Sequence, residues 1–161
     1  MSRRLVAFNL LVVVLSVVID QAIKALVVAT MGLGDAIEIL PFLALFHARN
    51  TGIAFSMFAG LGDVGLSLLA LAVLAVVLVL WWKTPAGRRL THFGLAIIVG
   101  GAIGNLIDRI RLGYVVDYVY FHTPVWAFAI FNFADALITI GAVLILIDEF
   151  ILAPRAKASP H

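Results

Sequence analysis

The chain has 161 residues, of which 64% are hydrophobic and only 12% charged, and its mean hydropathy is +1.16. A water-soluble domain of this length does not carry that composition. The net charge of +2 is small and its basic residues sit at the ends of apolar runs, which argues against nucleic acid; the lack of cysteine excludes disulfides, thiol nucleophiles and thiolate metal sites.

Crossing hydrocarbon as a helix takes about 20 apolar residues. A first helix is predicted over 5–28, after Arg3 and Arg4 and interrupted by Asp20 and Lys24. No small-x-small cleavage site follows it, so it reads as a retained helix rather than a removed signal. An outward loop over 31–63 contains "AIEILPFLALFHARNTGIAFSMFAG". Its alternating pairs Ile37/Ile39 and Leu43/Leu45 around Pro41 predict two or more short strands on the membrane surface. A second helix over 64–82 has no charge within it. The third, 91–108, is glycine-rich, and Gly100 and Gly104 form a small-xxx-small pair that lets another helix come close. A second outward loop, 109–127, carries Tyr114, Tyr118, Tyr120, Phe121 and Trp126, in the manner of an interfacial aromatic belt. The fourth helix, 128–148, contains Asn132 and Asp135. The expectation is one integral membrane domain.

Arg3, Arg4, Lys83, Arg88, Arg89, Arg155 and Lys157, seven of the 11 Lys and Arg, fall on one side of these spans. That side reads as cytoplasmic, with both termini on it. At 1.5 Å rise per residue, Asp20 stands roughly 24 Å above Arg4, and Asn105 roughly 24 Å above Arg89. Asp135 stands roughly 20 Å above Asp148. The three are expected to meet in one layer of the outer half of the bilayer, with Asp117 of "GYVVDYVYF" within reach.

Several of these polar residues have ordinary explanations. Asp20 and Lys24 are spaced as an i,i+4 ion pair, which either fixes packing or joins a site. Asp108 beside Arg109 reads as structural, and Asn50 as a turn residue or a site residue with equal justice. Arg88 and Arg89 read as topology signals, and His47, His92, His122 and His161 suggest no function. The chain has no H-E-x-x-H and no G-x-S-x-G, so neither a zinc protease nor a serine hydrolase is indicated. Asp135 differs, because it has no basic partner three or four residues away, and an intramembrane acid is a functional candidate by default. With Asp117 it makes two carboxylates near one pocket. Such a pair shares a proton: one acts as base on water while the other, protonated, polarises a carbonyl. That chemistry hydrolyses peptides without a metal.

Five segments, in order, resemble motifs of the lipoprotein signal peptidases, also called signal peptidase II: "DQAIK" at Asp20–Lys24, "RNTGIAFS" at Arg49–Ser56, "GGAIGNLIDR" at Gly100–Arg109, "VVDY" at Val115–Tyr118 and "FNFAD" at Phe131–Asp135. Ile53 stands where an alanine is common in that family, and Ala136 where a small hydroxyl residue is common. The resemblance implies an all-α membrane fold of four transmembrane helices with a small β-sheet cradle on the outer face. It implies a monomeric aspartyl endopeptidase of the bacterial cytoplasmic membrane, in contact with lipid and needing no cofactor or metal. Its substrates would be diacylglyceryl-modified prolipoproteins, cut before the lipidated cysteine. Asp117 and Asp135 would be catalytic. Asn50, Gly52, Asn105, Arg109 and Asn132 would hold the pocket and substrate, and Asp20 and Lys24 would support it. A proton-coupled transporter would instead place its acids near the midplane between repeated halves. A non-catalytic assembly factor would tolerate asparagine at both aspartates.

Overall fold

The structure, a computed structural model, describes residues 2–52, 62–123 and 125–152. Ile53, Ser56, Arg155, Lys157 and His161, which enter the expectations above, lie outside the described residues. Helix α1 spans Arg3–Thr30, with the Ser2 hydroxyl accepting the Leu5 N–H at its start. A hairpin of β1 (Ala36–Leu40) and β2 (Leu43–Asn50) follows, turning at Pro41. Then come α2 (Gly62–Lys83), α3 (Arg89–Leu112), β3 (Val115–Thr123), β4 (Trp126–Ala127) and α4 (Phe133–Ile147), which runs on as a π turn, Asp148–Leu152. The four strands form one antiparallel sheet in the order β1-β2-β3-β4.

Three helices, α1, α2 and α3, are long and apolar enough to cross a membrane. Their burial is inverted relative to a soluble protein. The buried residues of α1 are Asn9, Ser16, Asp20, Lys24 and Val27, while Leu10, Leu11, Val14, Val18 and Leu26 are exposed. Exposed apolar area on this scale needs a nonaqueous partner, and polar groups inside a membrane bundle turn towards its interior. The protein is a membrane protein.

Helix α3 is the centre, packed by α1, α2 and α4. Its glycines allow the approach. A Cβ at Gly100 would come within 2.5 Å of Ser16 on α1, and one at Gly101 within 2.5 Å of the Ala134 carbonyl on α4. One at Gly104 would collide with the Asp20 carboxylate. The surfaces that meet at Gly100 and Gly104 are thus those of α3 and α1, at the level of the buried charges.

Two boundaries differ from the sequence reading. The second outward segment is not a loop: α3 continues to Leu112, and β3 begins at Val115. Tyr118, expected in an aromatic belt, is buried, and its hydroxyl accepts the Phe133 N–H at 3.1 Å. The fourth helix starts at Phe133 rather than 128, because Phe131 is bound to strand β3. The Phe131 carbonyl accepts the Val119 N–H at 2.7 Å and its own N–H reaches the Val119 carbonyl at 3.0 Å. A backbone held in that ladder cannot also begin a helix.

Candidate active site

The later start of α4 changes the setting of Asp135. A helix from 128 would place this carboxylate two turns inside an apolar span. In the structure it lies in the first turn, three residues after the N-cap Asn132. The two form a capping box: the Asn132 Oδ1 accepts the Asp135 N–H at 3.0 Å, and Asp135 Oδ2 accepts the Asn132 N–H at 3.3 Å. Free N–H groups and the positive end of the helix favour an acid there.

Asp117 arrives from β3. The β2–β3 register sets it opposite Ala48, and sets Asn50 opposite Val115, at the end of the pairing nearest α3. Asp117 is 2% exposed. Its Oδ1 accepts from the Asn132 amide at 2.6 Å and its Oδ2 from the Asn50 amide at 2.8 Å. Asn132 therefore touches both acids, through its side chain on Asp117 and its backbone on Asp135.

Three amides surround the two carboxylates, and obligate donors fix the orientation of each. The Asp135 N–H points at Asn132 Oδ1, so the Asn132 NH2 must face Asp117 and, at 3.2 Å, Asn105 Oδ1. The Lys24 ammonium donates to Asn105 Oδ1 at 2.8 Å, so the Asn105 NH2 faces Asp135 Oδ1, also at 2.8 Å. The Gly52 N–H donates to Asn50 Oδ1 at 2.9 Å, so the Asn50 NH2 faces Asp117. Backbone N–H and ammonium groups can only donate, which makes this assignment of amide ends the consistent one.

The remaining charges sit behind. Lys24 pairs with Asp20 at 2.9 Å, as the i,i+4 spacing suggests, and with Asp108, also at 2.9 Å. Asp108 thus binds Lys24 across the helix interface, not the adjacent Arg109. Arg109 instead donates to the Gly52 carbonyl at 3.0 Å and weakly to the Asn105 carbonyl at 3.5 Å. Sequence reasoning passes over Gln21, whose amide donates to Asp108 at 2.9 Å and to the Gly104 carbonyl at 3.2 Å. It lies next to Asp20, off the i,i+4 stripe, so spacing gives no signal for it. Tyr118, read as part of an aromatic belt, is instead buried at the start of α4; the alternation that marks a strand fails there, because Val115 to Tyr118 are all buried.

In front of the acids lies a cavity of about 660 Å³, within the range of small-ligand sites. Asn50, Asn105, Arg109 and Asp135 supply polar lining, with Leu66, Leu69, Ala70 and Val73 of α2 on one side and Ala136, Ile138, Thr139 and Ile140 of α4 on the other. Asp135 is in the wall, and Asp117 is covered by Asn50. Burial pushes the Asp117 carboxyl up to about 6, the Asp135 charge adds to the rise, and the Asn50 and Asn132 amides act against it. Among the described residues, no three His, Cys, Asp or Glu are grouped to hold a metal ion.

Comparison with known proteins agrees across the whole chain. The family described as signal peptidase (SPase) II matches residues 12–151. The lipoprotein signal peptidases of Brucella ovis and Brucella melitensis are each 57% identical over 159 residues, covering 99% of this chain and 99% of the relative. Two solved structures of a bacterial membrane enzyme, obtained by the in meso method, share the fold. One, at 2.3 Å resolution, gives a TM-score of 0.83 at 29% identity, over 96% of this chain and 93% of the other. The second, at 1.9 Å, gives 0.80 at 30% identity, over 90% and 94%. A match of this extent, to a family model and to curated sequences alike, means that the chain belongs to the signal peptidase II family.

Proposed function

We propose that this protein is an aspartyl endopeptidase of the bacterial cytoplasmic membrane that removes signal peptides from diacylglyceryl-modified prolipoproteins, cutting before the lipidated cysteine. One observation carries the aspartyl mechanism: two carboxylates from separate elements meet at a single residue, Asn132, beside a cavity between apolar helix faces. Neither has a cation within salt-bridge distance among the described residues. Helix α4 with its π turn is the fourth span, both termini are cytoplasmic, and the sheet covers the outer end.

The reaction follows from two carboxylates that hold one proton between them. The ionised member takes a proton from water as the oxygen attacks the scissile carbonyl carbon. The protonated member gives its proton to the carbonyl oxygen, yielding a neutral tetrahedral diol. The proton taken from water then passes to the amide nitrogen while the other carboxylate takes a proton from a diol hydroxyl, so the C–N bond breaks, a carbonyl re-forms and the pair again holds one proton. The donors from Asn50, Asn105 and Asn132 hold both carboxylates in place without neutralising them. The Arg109 guanidinium, in the cavity wall, is placed to bind a substrate carbonyl. A diacylglyceryl group stays in hydrocarbon between α2 and α4 while the adjacent bond reaches the acids, and a monomer suffices.

The test uses purified protein in detergent with two forms of one prolipoprotein, scored by gel shift. The diacylglyceryl-modified form is expected to be cut at the bond before cysteine, and the unmodified form far more slowly. Equal rates for the two would overturn lipid recognition, and no cleavage of either would overturn the function.

A further inference from the structure

The buried ions behind the dyad make a pattern that pairing alone does not require. Asp20, Lys24 and Asp108 are 0%, 3% and 3% exposed. Beyond its bonds to Lys24, each carboxylate grips one backbone N–H. Asp20 Oδ1 accepts from Ala134 at 3.2 Å, and Asp108 Oδ2 accepts from Val116 at 3.1 Å. Ala134 directly precedes Asp135, and Val116 directly precedes Asp117. Lys24 lies between the two carboxylates, 2.9 Å from each, and its third bond runs through Asn105 to Asp135 Oδ1.

We propose that the Asp20–Lys24–Asp108 cluster is a positioning device that sets the spacing of Asp117 and Asp135. The inference rests on the reading of those two aspartates as the catalytic pair. Strand β3 and helix α4 are separate elements, and Asp20 on α1 and Asp108 on α3 hold the backbone of each at the residue before its acid. Each half of the cluster fixes one strand or helix at the residue next to its acid, and Lys24 fixes the distance between the halves.

Helix adhesion does not account for it. Burying ions costs several kcal/mol each, and an apolar trio of equal volume holds helices as well or better. The contacts of Gly100 and Gly101 already bring α1 and α4 against α3. An apolar trio has no acceptor to set on the Ala134 and Val116 N–H groups. Spacing matters at this scale: a displacement of about 1 Å can cost about a hundredfold in rate.

Variants that keep every charge isolate geometry from electrostatics. Asp108→Glu and Lys24→Arg are each purified, and kcat, KM and the pH–rate profile are measured per folded molecule, so a lower yield does not enter. Other charged or titratable groups near the pair, Arg109 on α3 and Tyr118 on β3, are unchanged in both. Each variant is expected to lose about tenfold or more in kcat, with KM within about threefold. The two limbs of the profile should change their separation by at least about half a pH unit, because mutual carboxylate repulsion depends on distance. Arg88→Lys, at the far end of the bundle, serves as the control and moves neither. Wild-type kcat and limb separation in both variants would overturn the proposal while leaving the catalytic reading intact. Activity surviving in Asp117→Asn or Asp135→Asn would overturn that reading instead.

Discussion

The two ends of the helix bundle both bury charge, and they treat it differently. At the end near Lys83, Arg88 binds Asp148 at 2.7 Å and Glu149 at 2.8 Å, and the Thr91 hydroxyl donates to Asp148. His92 is locked as well: the Trp81 indole N–H donates to its Nδ1 at 2.8 Å, which leaves its Nε2–H for the Pro85 carbonyl at 3.2 Å. Every acid named there touches a cation. At the opposite end Asp20 and Asp108 share Lys24, but Asp117 and Asp135 touch only amides and backbone N–H groups. A cation holds a carboxylate ionised. Neutral donors orient it and leave the proton free to come and go. The first end pairs its acids with a cation, and the second holds Asp117 and Asp135 by neutral donors alone, as the proposed mechanism requires.

Replacing the acids tests that contrast most severely. Asp117→Asn and Asp135→Asn should each reduce kcat by at least about a thousandfold, and the double variant should be little worse than either single. Asparagine is nearly isosteric and cheaper to bury than a carboxylate, so all three proteins should reach the membrane in normal amounts. Cleavage rate beside membrane abundance is the measurement. Small losses that simply add in the double variant would make the acids structural and erase the difference between the ends.

Much of this end is legible in the sequence, and the limits are physical. Rise per residue brings Asp20, Asn105 and Asp135 to one layer, and the structure joins them through Lys24. The β1–β2 hairpin shows in the alternation around Pro41. Strand β3 does not, because Val115 to Tyr118 are covered on both faces and alternation vanishes. The start of α4 is hidden for a related reason. Phe128 to Phe131 are apolar like the helix they precede, and the backbone bonds of Phe128 to Phe121 and of Phe131 to Val119 keep them out of it. Sequence neighbours also mislead about charge. Asp108 is adjacent to Arg109 but bonds Lys24, a choice made by the close approach of α1 to α3. The role of Arg88 beyond topology depends on α4 ending beside it.

A protonation-competent end should also mark the stability of the folded protein. The folded Asp117 carboxyl lies at about 6, above its ordinary 3.8. Between those values the folded state holds more proton than the unfolded state, so stability falls as pH rises through that window and levels off above it. The full change is about 3 kcal/mol for a shift of this size. Asp117→Asn removes the titrating group and should flatten this part of the curve. Thermal unfolding in detergent from pH 4 to pH 7, for wild type and Asp117→Asn, reads it directly. A wild-type protein that gains stability relative to the variant as pH rises through the window would mean that Asp117 is held ionised, as the acids of the other end are.

The smallest effect is expected at the cation-paired end, where it sharpens the comparison by being confined to stability. Among the described residues, Arg88 does not line the cavity beside the acids, and its ion-pair partners are Asp148 and Glu149. Glu149 is exposed, so that half of the pair contributes little. Asp148 is buried and is also bonded by the Thr91 hydroxyl and backbone, so loss of Arg88 leaves a hydrogen-bonded acid without its cation. Arg88→Gln can still donate to Asp148 through its amide, which softens the loss. The unfolding midpoint should therefore fall by a few degrees, while kcat and KM per folded molecule stay within about twofold of wild type, as for sites far apart without shared partners. Thermal unfolding and cleavage assays on the same preparation separate the two quantities. A fall in kcat that matches the fall in stability would mean that the ends are coupled through α3 and α4, and that the Arg88 ion pairs help hold the two acids in register.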